Sequence, residues 1–288
     1  MTKEESLTAA LENTATDYGS GYYDLFFECP RKFQLKHEQK VSLKVINTNE
    51  AQHFAVGRLV HSCLQFAQQE VIDGRDPTEW PKVIEQATAG NLVDPADAYE
   101  AERLCTWYFA KYTTQNAGWP SEARIIRIEG LLQSEINSLP ITARADSIID
   151  LDGEILIADH KTRKTKTPDH YVDSLHTRAQ FLRLAWLYQQ KHQQLPDGIW
   201  VNVIVKTKEV QLSRHIVKLS QTEVDRWAEN QAVLATLIKS QKFLKAPAVM
   251  NYSACWPEYF GNGRCEYYNY CHGSDEVRER FYVQGCSF

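Results

Sequence analysis

At 288 residues, with 43% hydrophobic and 24% charged side chains, the chain can form one large domain or two small ones. A formal charge of −5 gives no overall basic surface, so any contact with nucleic acid must come from local clusters. Seven cysteines, an odd number without a secretory leader, argue against a disulfide framework, and no apolar run is long enough to cross a bilayer. A soluble, cytoplasmic protein without a membrane partner is expected.

Residues 1 to 18 are polar. From Ser20 a short aromatic helix runs into Cys29 and Pro30, and Pro30 suits the first turn of a following helix. Cys29 is thus placed near a helix N-terminus, where a thiolate is favoured, or it is a buried structural cysteine. A helix is predicted from about Ala51 to Ile72, with Val56, Val60, Cys63, Leu64, Ala67 and Val71 as its apolar stripe. His61 falls at the border of that stripe, and Gly57 one turn earlier leaves the flank uncrowded. Such a histidine is either a metal ligand or an ordinary helix residue. Asp73 to Pro77 breaks the helix. Residues 79 to 116 read as further helix, interrupted near Gly90 and Pro95.

A β region starts at Ala123. Its first strand bends near Gly130 and continues to Ile136, with Glu129 either a carboxylate near the site or, the favoured reading, a solvent-facing strand residue. Two more strands flank a polar turn at Asp150, Asp152 and Gly153, a hairpin signal. Each carries a carboxylate, Asp146 on the first and Asp159 on the second. Lys161 follows Asp159 by two positions and shares its face. Two carboxylates suit a hard cation such as Mg²⁺, which acts as a Lewis acid on phosphoryl oxygen, and a neighbouring lysine orients or deprotonates water. A salt-bridged hairpin edge is the other reading of the same three residues. Arg163, Lys164 and Lys166 come next, where a phosphate backbone would need neutralising; a solvated charged face accounts for them equally.

A helix is then predicted from about Tyr171 to Gln194, with Phe181, Leu184, Leu187 and Tyr188 on its apolar face. Gln180 sits on that face. Left unsatisfied it would cost about 1–3 kcal/mol, so it needs a partner: Lys161, a nucleotide or a backbone group. Ile199 to Val205 reads as a buried strand interrupted only by Asn202, Leu212 to Leu219 as another strand, and Gln221 to Lys242 as a helix closed by Pro247. In the tail, Cys255, Cys265 and Cys271 form a metal-site pattern lacking one ligand, and Cys29 is the natural fourth. Zinc and iron–sulfur both accept four thiolates. Cys63 and Cys105, in helical patterns, are expected in the core.

In this order, Cys29-Pro-Arg-Lys-Phe, Gly57-x-x-x-His61, Asp146, Asp159-x-Lys161, Gln180 and three C-terminal cysteines resemble the PD-(D/E)XK nuclease superfamily. The resemblance is to its RecB-type exonucleases with a four-cysteine iron–sulfur cluster, the group of the AddB nuclease domain and the CRISPR-associated single-strand exonucleases. It implies an α/β fold with a restriction-endonuclease-like core, a mixed sheet of about four core strands flanked by helices. Residues 1–122 would form an N-terminal helical region, 123–245 the nuclease core and 246–288 a cysteine-clamped tail compact with Cys29. The activity implied is metal-dependent exonucleolytic hydrolysis of single-stranded or end-containing DNA. His61, Asp146, Asp159 and the main-chain carbonyl of His160 would bind Mg²⁺ or Mn²⁺. Lys161 would position the attacking water, with Gln180 in support. Cys29, Cys255, Cys265 and Cys271 would hold a [4Fe–4S] cluster, with zinc as the less favoured occupant. No nucleotide-binding loop of the helicase kind is present, so unwinding would come from a helicase or recombination partner; self-association is compatible with the family. The competing reading is a catalytically inactive DNA-binding or redox-sensing scaffold.

Overall fold

Asp152 and Gly153 take φ values of 52° and 89°, the left-handed pair that a two-residue hairpin turn of matching twist requires. Asp150 Oδ1 closes the turn by accepting the Gly153 N–H at 2.9 Å. In the computed structural model, which describes residues 2, 5, 18–43, 48–164, 171–244, 250–255 and 265–284, this turn joins two strands of a five-stranded mixed sheet. The strands are β2 (Ala123–Ile136), β3 (Leu139–Leu151), β4 (Glu154–Arg163), β5 (Gly198–Val205) and β6 (Gln211–Val217), in that spatial order. β4 and β5 pair in parallel from Leu156↔Gly198 to Arg163↔Val205, whereas β3–β4 and β5–β6 are antiparallel. The parallel pair needs a crossover, and helices supply it between Tyr171 and His192. The four core strands expected are β2 to β5, and the further strand expected over Leu212 to Leu219 is β6, an edge strand whose residues are mostly half-buried.

Two compact units divide the chain. The first comprises Met1–Thr16, Asn49–Ser134 and Thr142–Ala228. Its helical part is built from α3 (Thr48–Ile72), α4 (Pro81–Ala89) and α5 (Pro95–Tyr112), preceded in the chain by α1 (Ser20–Glu28) and α2 (Pro30–Phe33) of the other unit. Val60, Leu64 and Ala67 of α3 pack with Val83 of α4, Leu104 and Tyr108 of α5 and Ile204 of β5. Cys63 and Cys105 lie in the same core. Each aliphatic side chain fully buried here contributes about 1.5–3 kcal/mol. Asp94 caps α5 by accepting the Ala96 N–H, and Pro95 occupies its first turn.

The crossover differs from the single helix expected over residues 171–194. It is broken into α6 (Tyr171–Leu175) and α7 (Ala179–His192), with Arg178 in an extended conformation as the N-cap of α7. Phe181, Leu184 and Leu187 on α7 are buried, as its periodicity requires.

The second unit comprises Asp17–Thr48, Glu135–Ile141 and Glu229–Phe288. It is held by pairings of distant segments. β1 (Val41–Leu43) pairs antiparallel with β7 (Tyr282–Gln284), and Leu35, Val41, Tyr267 and Tyr282 form a small core beneath them. Tyr267 donates its hydroxyl to the Val41 carbonyl at 3.0 Å, and Tyr23 donates to the Pro140 carbonyl at 2.5 Å. Helix α8 (Gln221–Leu244) begins in the first unit and ends in the second. Short helices α9 (Tyr252–Cys255), α10 (Tyr268–His272) and α11 (Asp275–Phe281) complete the tail.

Candidate active site

The ladder between β3 and β4 runs from Leu151↔Glu154 to Ser147↔Ala158. The next residues in that register are Asp146 and Asp159, one on each strand, where the described ladder ends. Asp146 Oδ2 accepts the His160 N–H at 2.6 Å, so a side chain replaces the missing ladder bond. The N–H and C=O of one strand residue point to the same edge, so the His160 carbonyl faces the same opening.

Asp159 and Lys161 share one face of β4 and meet Gln180 from α7. Lys161 Nζ donates to Asp159 Oδ1 at 2.9 Å and to Gln180 Oε1 at 2.8 Å, while Gln180 Nε2 donates to Asp159 Oδ1 at 2.7 Å. The three side chains close a triangle. Asp159 is 3% exposed, and its Oδ2 accepts no hydrogen bond among the described residues although the Lys161 ammonium lies 2.9 Å away. His61 of α3 brings Nδ1 to 3.6 Å from Asp146 Oδ2.

The charges at this opening are tightly linked. Burial pushes the pKa of Asp146 up, but the His61 charge and the bonds from His61 and His160 reverse this and hold it well below the usual carboxylate range. Burial raises Asp159, with Lys161 opposing and Asp146 reinforcing the shift. Burial alone would lower His61 and Lys161; Asp146 and Asp159 respectively turn both upward, so each cation is favoured beside its carboxylate.

The opposite face of β4 supports this arrangement. His160 is 2% exposed, and burial depresses its pKa to about 3, so its ring is neutral. It packs beside Trp119 and Tyr108, with Nε2 at 3.3 Å from Gln68 Nε2. Register places His160, Asn202 and Arg214 in one row across three strands. Arg214 Nε donates to Asn202 Oδ1 at 2.6 Å, while Asn202 Nδ2 has no hydrogen-bond partner among the described residues, and the guanidinium lies 3.5 Å from the centre of the Tyr112 ring.

Glu129 departs from the solvent-facing position expected of it. It sits at a kink in β2 with φ of 47°, and its largely buried carboxylate lies 3.6 Å from Arg144 Nε. Burial, then the Asp146 charge, push its pKa up to about 7. An acidic residue inside an apolar strand was the available signal, but period-two reasoning fails across a kink.

Arg163 extends the Asp159–Lys161 face. Its guanidinium lies 4.3 Å from the centre of the Tyr171 ring, and that of Arg178 lies 4.8 Å from the same ring. Lys164 lines a cavity of about 420 Å³ with Lys206, Asp94, Asp97 and Glu100. Lys166 lies outside the described residues.

In the second unit Cys29, Cys255, Cys265 and Cys271 are free thiols. The Cys265 N–H donates to the Cys255 carbonyl at 3.0 Å, and the Asn251 N–H approaches Cys29 Sγ at 3.5 Å. The thiols are electrostatic neighbours. Burial raises Cys255, with Cys29 adding to it; burial raises Cys271, with Cys255 and Cys29 adding and Arg31 opposing. Burial raises Cys265 to about 11 against the Lys32 charge. Among the described residues no three His, Cys, Asp or Glu side chains are drawn together closely enough to hold a metal ion.

A cation is nevertheless chemically suited to the β3–β4 opening. Asp146 and Asp159 are opposite in register there, His61 lies 3.6 Å from Asp146, and Asp159 Oδ2 lacks a hydrogen bond among the described residues, a donor chemistry that suits a hard cation. The protein's own ammonium, that of Lys161, provides the compensating charge in this arrangement.

No curated protein matches the chain. A solved structure from Eubacterium rectale, of a protein provisionally described as an exonuclease, superposes with a TM-score of 0.51 at 15% identity, covering 85% of this chain and 88% of that one. That likeness speaks to the fold. A second solved structure, known by locus name alone, covers 88% of this chain and 90% of its own at 12% identity with a TM-score of 0.31, and nothing is argued from it. No helix among the described residues is long and apolar enough to cross a membrane. The family model of the PD-(D/E)XK nuclease superfamily matches residues 22–272, nearly the whole chain and every residue of the opening between β3 and β4; the protein belongs to that superfamily.

Proposed function

We propose that the protein is a metal-dependent deoxyribonuclease that degrades single-stranded or end-containing DNA from an end. The observation that carries this reading is the closed triangle of Asp159, Lys161 and Gln180 at the strand opening, facing Asp146. Mg²⁺ or Mn²⁺ would be held by His61, Asp146, Asp159 and the His160 carbonyl. When bound, such a cation supplies Lewis-acid polarisation of a phosphoryl group and acidifies water. The chain's own residues do the rest. Asp159 keeps Lys161 protonated against the effect of burial, so Lys161 acts as a donor: it orients the attacking water and stabilises charge developing on the phosphoryl oxygens. Gln180 fixes both partners and limits the rotamers of Lys161. Asp146, kept ionised and bonded to the β4 backbone, sets the width of the opening. Arg163, Lys164 and Lys166 would neutralise the DNA backbone, and a helicase or recombination partner would supply unwound ends.

Cys29, Cys255, Cys265 and Cys271 would hold a [4Fe–4S] cluster with a structural role. Their thiol chemistry, their mutual electrostatic reach and the adjacent cations Arg31 and Lys32 support this. Iron and sulfide analysis of anaerobically purified protein distinguishes it from zinc.

The activity is tested on DNA labelled at either end, with Mg²⁺ or Mn²⁺ and with Lys161→Ala alongside. Stepwise products from one end, lost in the variant and with chelator, are expected and give the polarity. Cleavage that persists in the variant would overturn the site assignment. DNA binding with no cleavage would favour the scaffold.

A further inference from the structure

Tyr171 and Arg178 were not among the residues that the sequence marked for function, yet they stand beside the triangle. Arg163 is two residues beyond Lys161 on the same strand face. Arg178 is two residues before Gln180, as the N-cap of α7. Both guanidiniums converge on the ring of Tyr171, whose exposure is only 3%. A buried aromatic face fixes a guanidinium's plane and removes part of its hydration, so its remaining N–H donors are oriented in advance. Two cations on one ring also repel each other, and among the described residues neither forms an ion pair with a carboxylate. A polyanion that bridges them would relieve that repulsion. Guanidinium forks match phosphate oxygens in pairs, unlike a lysine point charge.

We infer that Arg163 and Arg178, stacked on Tyr171, form a subsite for one non-scissile phosphate of the DNA strand, adjacent to the bond being cut. This deepens the nuclease reading and rests on it for the nature of the substrate. The subsite sets register. A phosphate anchored beside Lys161 fixes which neighbouring linkage lies over the two carboxylates, so the break at His176–Arg178 has a purpose that a continuous helix would not serve.

The test uses the full-length protein and a fluorescein-labelled single-stranded oligonucleotide, with binding measured in chelator over a range of NaCl concentrations. Arg178→Met keeps the stem and removes the charge; Arg178→Lys keeps the charge. Arg178→Met is expected to weaken binding roughly tenfold and to flatten the slope of log K against log[NaCl] by about 0.7, the value for one phosphate contact on a single strand. Arg178→Lys should keep the slope. Among oligonucleotides carrying a methylphosphonate at one linkage at a time, one position should weaken wild-type binding clearly more than it weakens Arg178→Met, in which only Arg163 is left to lose that contact. An unchanged slope in Arg178→Met, with unaltered melting temperature, would overturn the subsite, as would independent, multiplicative effects of the variant and the neutral linkage. Wild-type cleavage with Mg²⁺ is assayed in parallel. A coupled methylphosphonate effect without cleavage would remove the nuclease reading and keep the phosphate subsite; cleavage with an unchanged slope would do the reverse.

Discussion

The carboxylate opening of the first unit and the cysteine group of the second are held together in different ways. At the opening, strand register fixes the positions of Asp146 and Asp159, and the protein's own groups partner the carboxylates: the His61 ring and the His160 main-chain N–H for one, Lys161 and Gln180 for Oδ1 of the other. In the second unit, the thiols of Cys29, Cys255, Cys265 and Cys271 are electrostatic neighbours, the hydrogen bonds of the Cys29 and Cys255 sulfurs run to the Asn251 main chain, and burial pushes Cys255, Cys265 and Cys271 towards the neutral form. The first arrangement is organised by the protein's own bonds. The second would gain its order with the metal of the proposed cluster, as in metal-coupled folding. The β1–β7 pair and the Leu35–Tyr267–Tyr282 core also hold the unit's distant segments together, and Cys265 and Cys271 pack against that core.

The largest effect should come from removing the organised cation. Lys161→Ala is expected to lower cleavage by about 10²–10³-fold, the range for a lost transition-state donor. It also leaves Asp159 as a buried carboxylate without its counter-charge, a change that costs about 3–5 kcal/mol in comparable settings. Mg²⁺ should therefore raise the melting temperature of the variant more than that of wild type. Equal metal-induced shifts would mean that Lys161 and the cation do not share Asp159.

Cys271→Ser should act on the other side of the comparison. Iron content and visible absorbance are expected to fall to background, and an early unfolding transition should shift down by several degrees. Far-UV circular dichroism of the remaining transition should stay where it is. A single transition that moves as a whole would show that the thiol group is as integral to the fold as the strand opening.

Glu129 tests the opening more gently. Its pKa in the fold, pushed to about 7 by burial and by Asp146, exceeds the ordinary glutamate value. The folded state thus holds a proton that the unfolded chain has released, and stability falls as pH rises from about 4.5 to 7. In chelator, Glu129→Gln removes this slope. The melting-temperature difference, variant minus wild type, should grow across that window by an amount corresponding to roughly 1–3 kcal/mol. A constant difference would show that Glu129 ionises as freely in the fold as in the unfolded chain.

Much of this was legible in the sequence because it depends on local rules. The Asp-Gly turn sets the β3–β4 register, and that register puts Asp146 opposite Asp159. Period two puts Lys161 with Asp159, and helical spacing puts Gln180 on a buried face that demands a partner. What stayed hidden depends on distant segments. The break between α6 and α7 follows no glycine or proline; the chain turns at His176–Arg178, where Tyr171 and the end of β4 meet. Asn202 reads as an oddity in an apolar strand until Arg214 is set beside it by pairing with β6. The β1–β7 pair joins segments some 240 residues apart through three-residue strands too short to show a period.

The smallest predicted effect concerns how closely α3 approaches β4. The sequence suggested that Gly57 leaves room near His61; the structure shows that the room belongs to Thr162. A Cβ at position 57 would stand 2.8 Å from Thr162 Oγ1, with no other close neighbour but Thr162 Cβ at 4.0 Å. Alanine is better than glycine within a helix by about 0.8–1.0 kcal/mol, so Gly57→Ala combines a helix gain with a local clash, and net stability should change by less than about 1 kcal/mol. Activity is the more sensitive readout. His61 is one turn further along α3, and a shift of a few tenths of an ångström there lengthens an imidazole–carboxylate approach already at 3.6 Å. Gly57→Ala should lower cleavage several-fold, chiefly through a higher requirement for Mg²⁺, and Thr162→Ala in the same protein should restore it by removing the obstructing oxygen. If the double variant stays as impaired as Gly57→Ala, the helix–strand spacing is not what positions His61, and the helix position must be fixed instead by the packing of Val60 and Leu64.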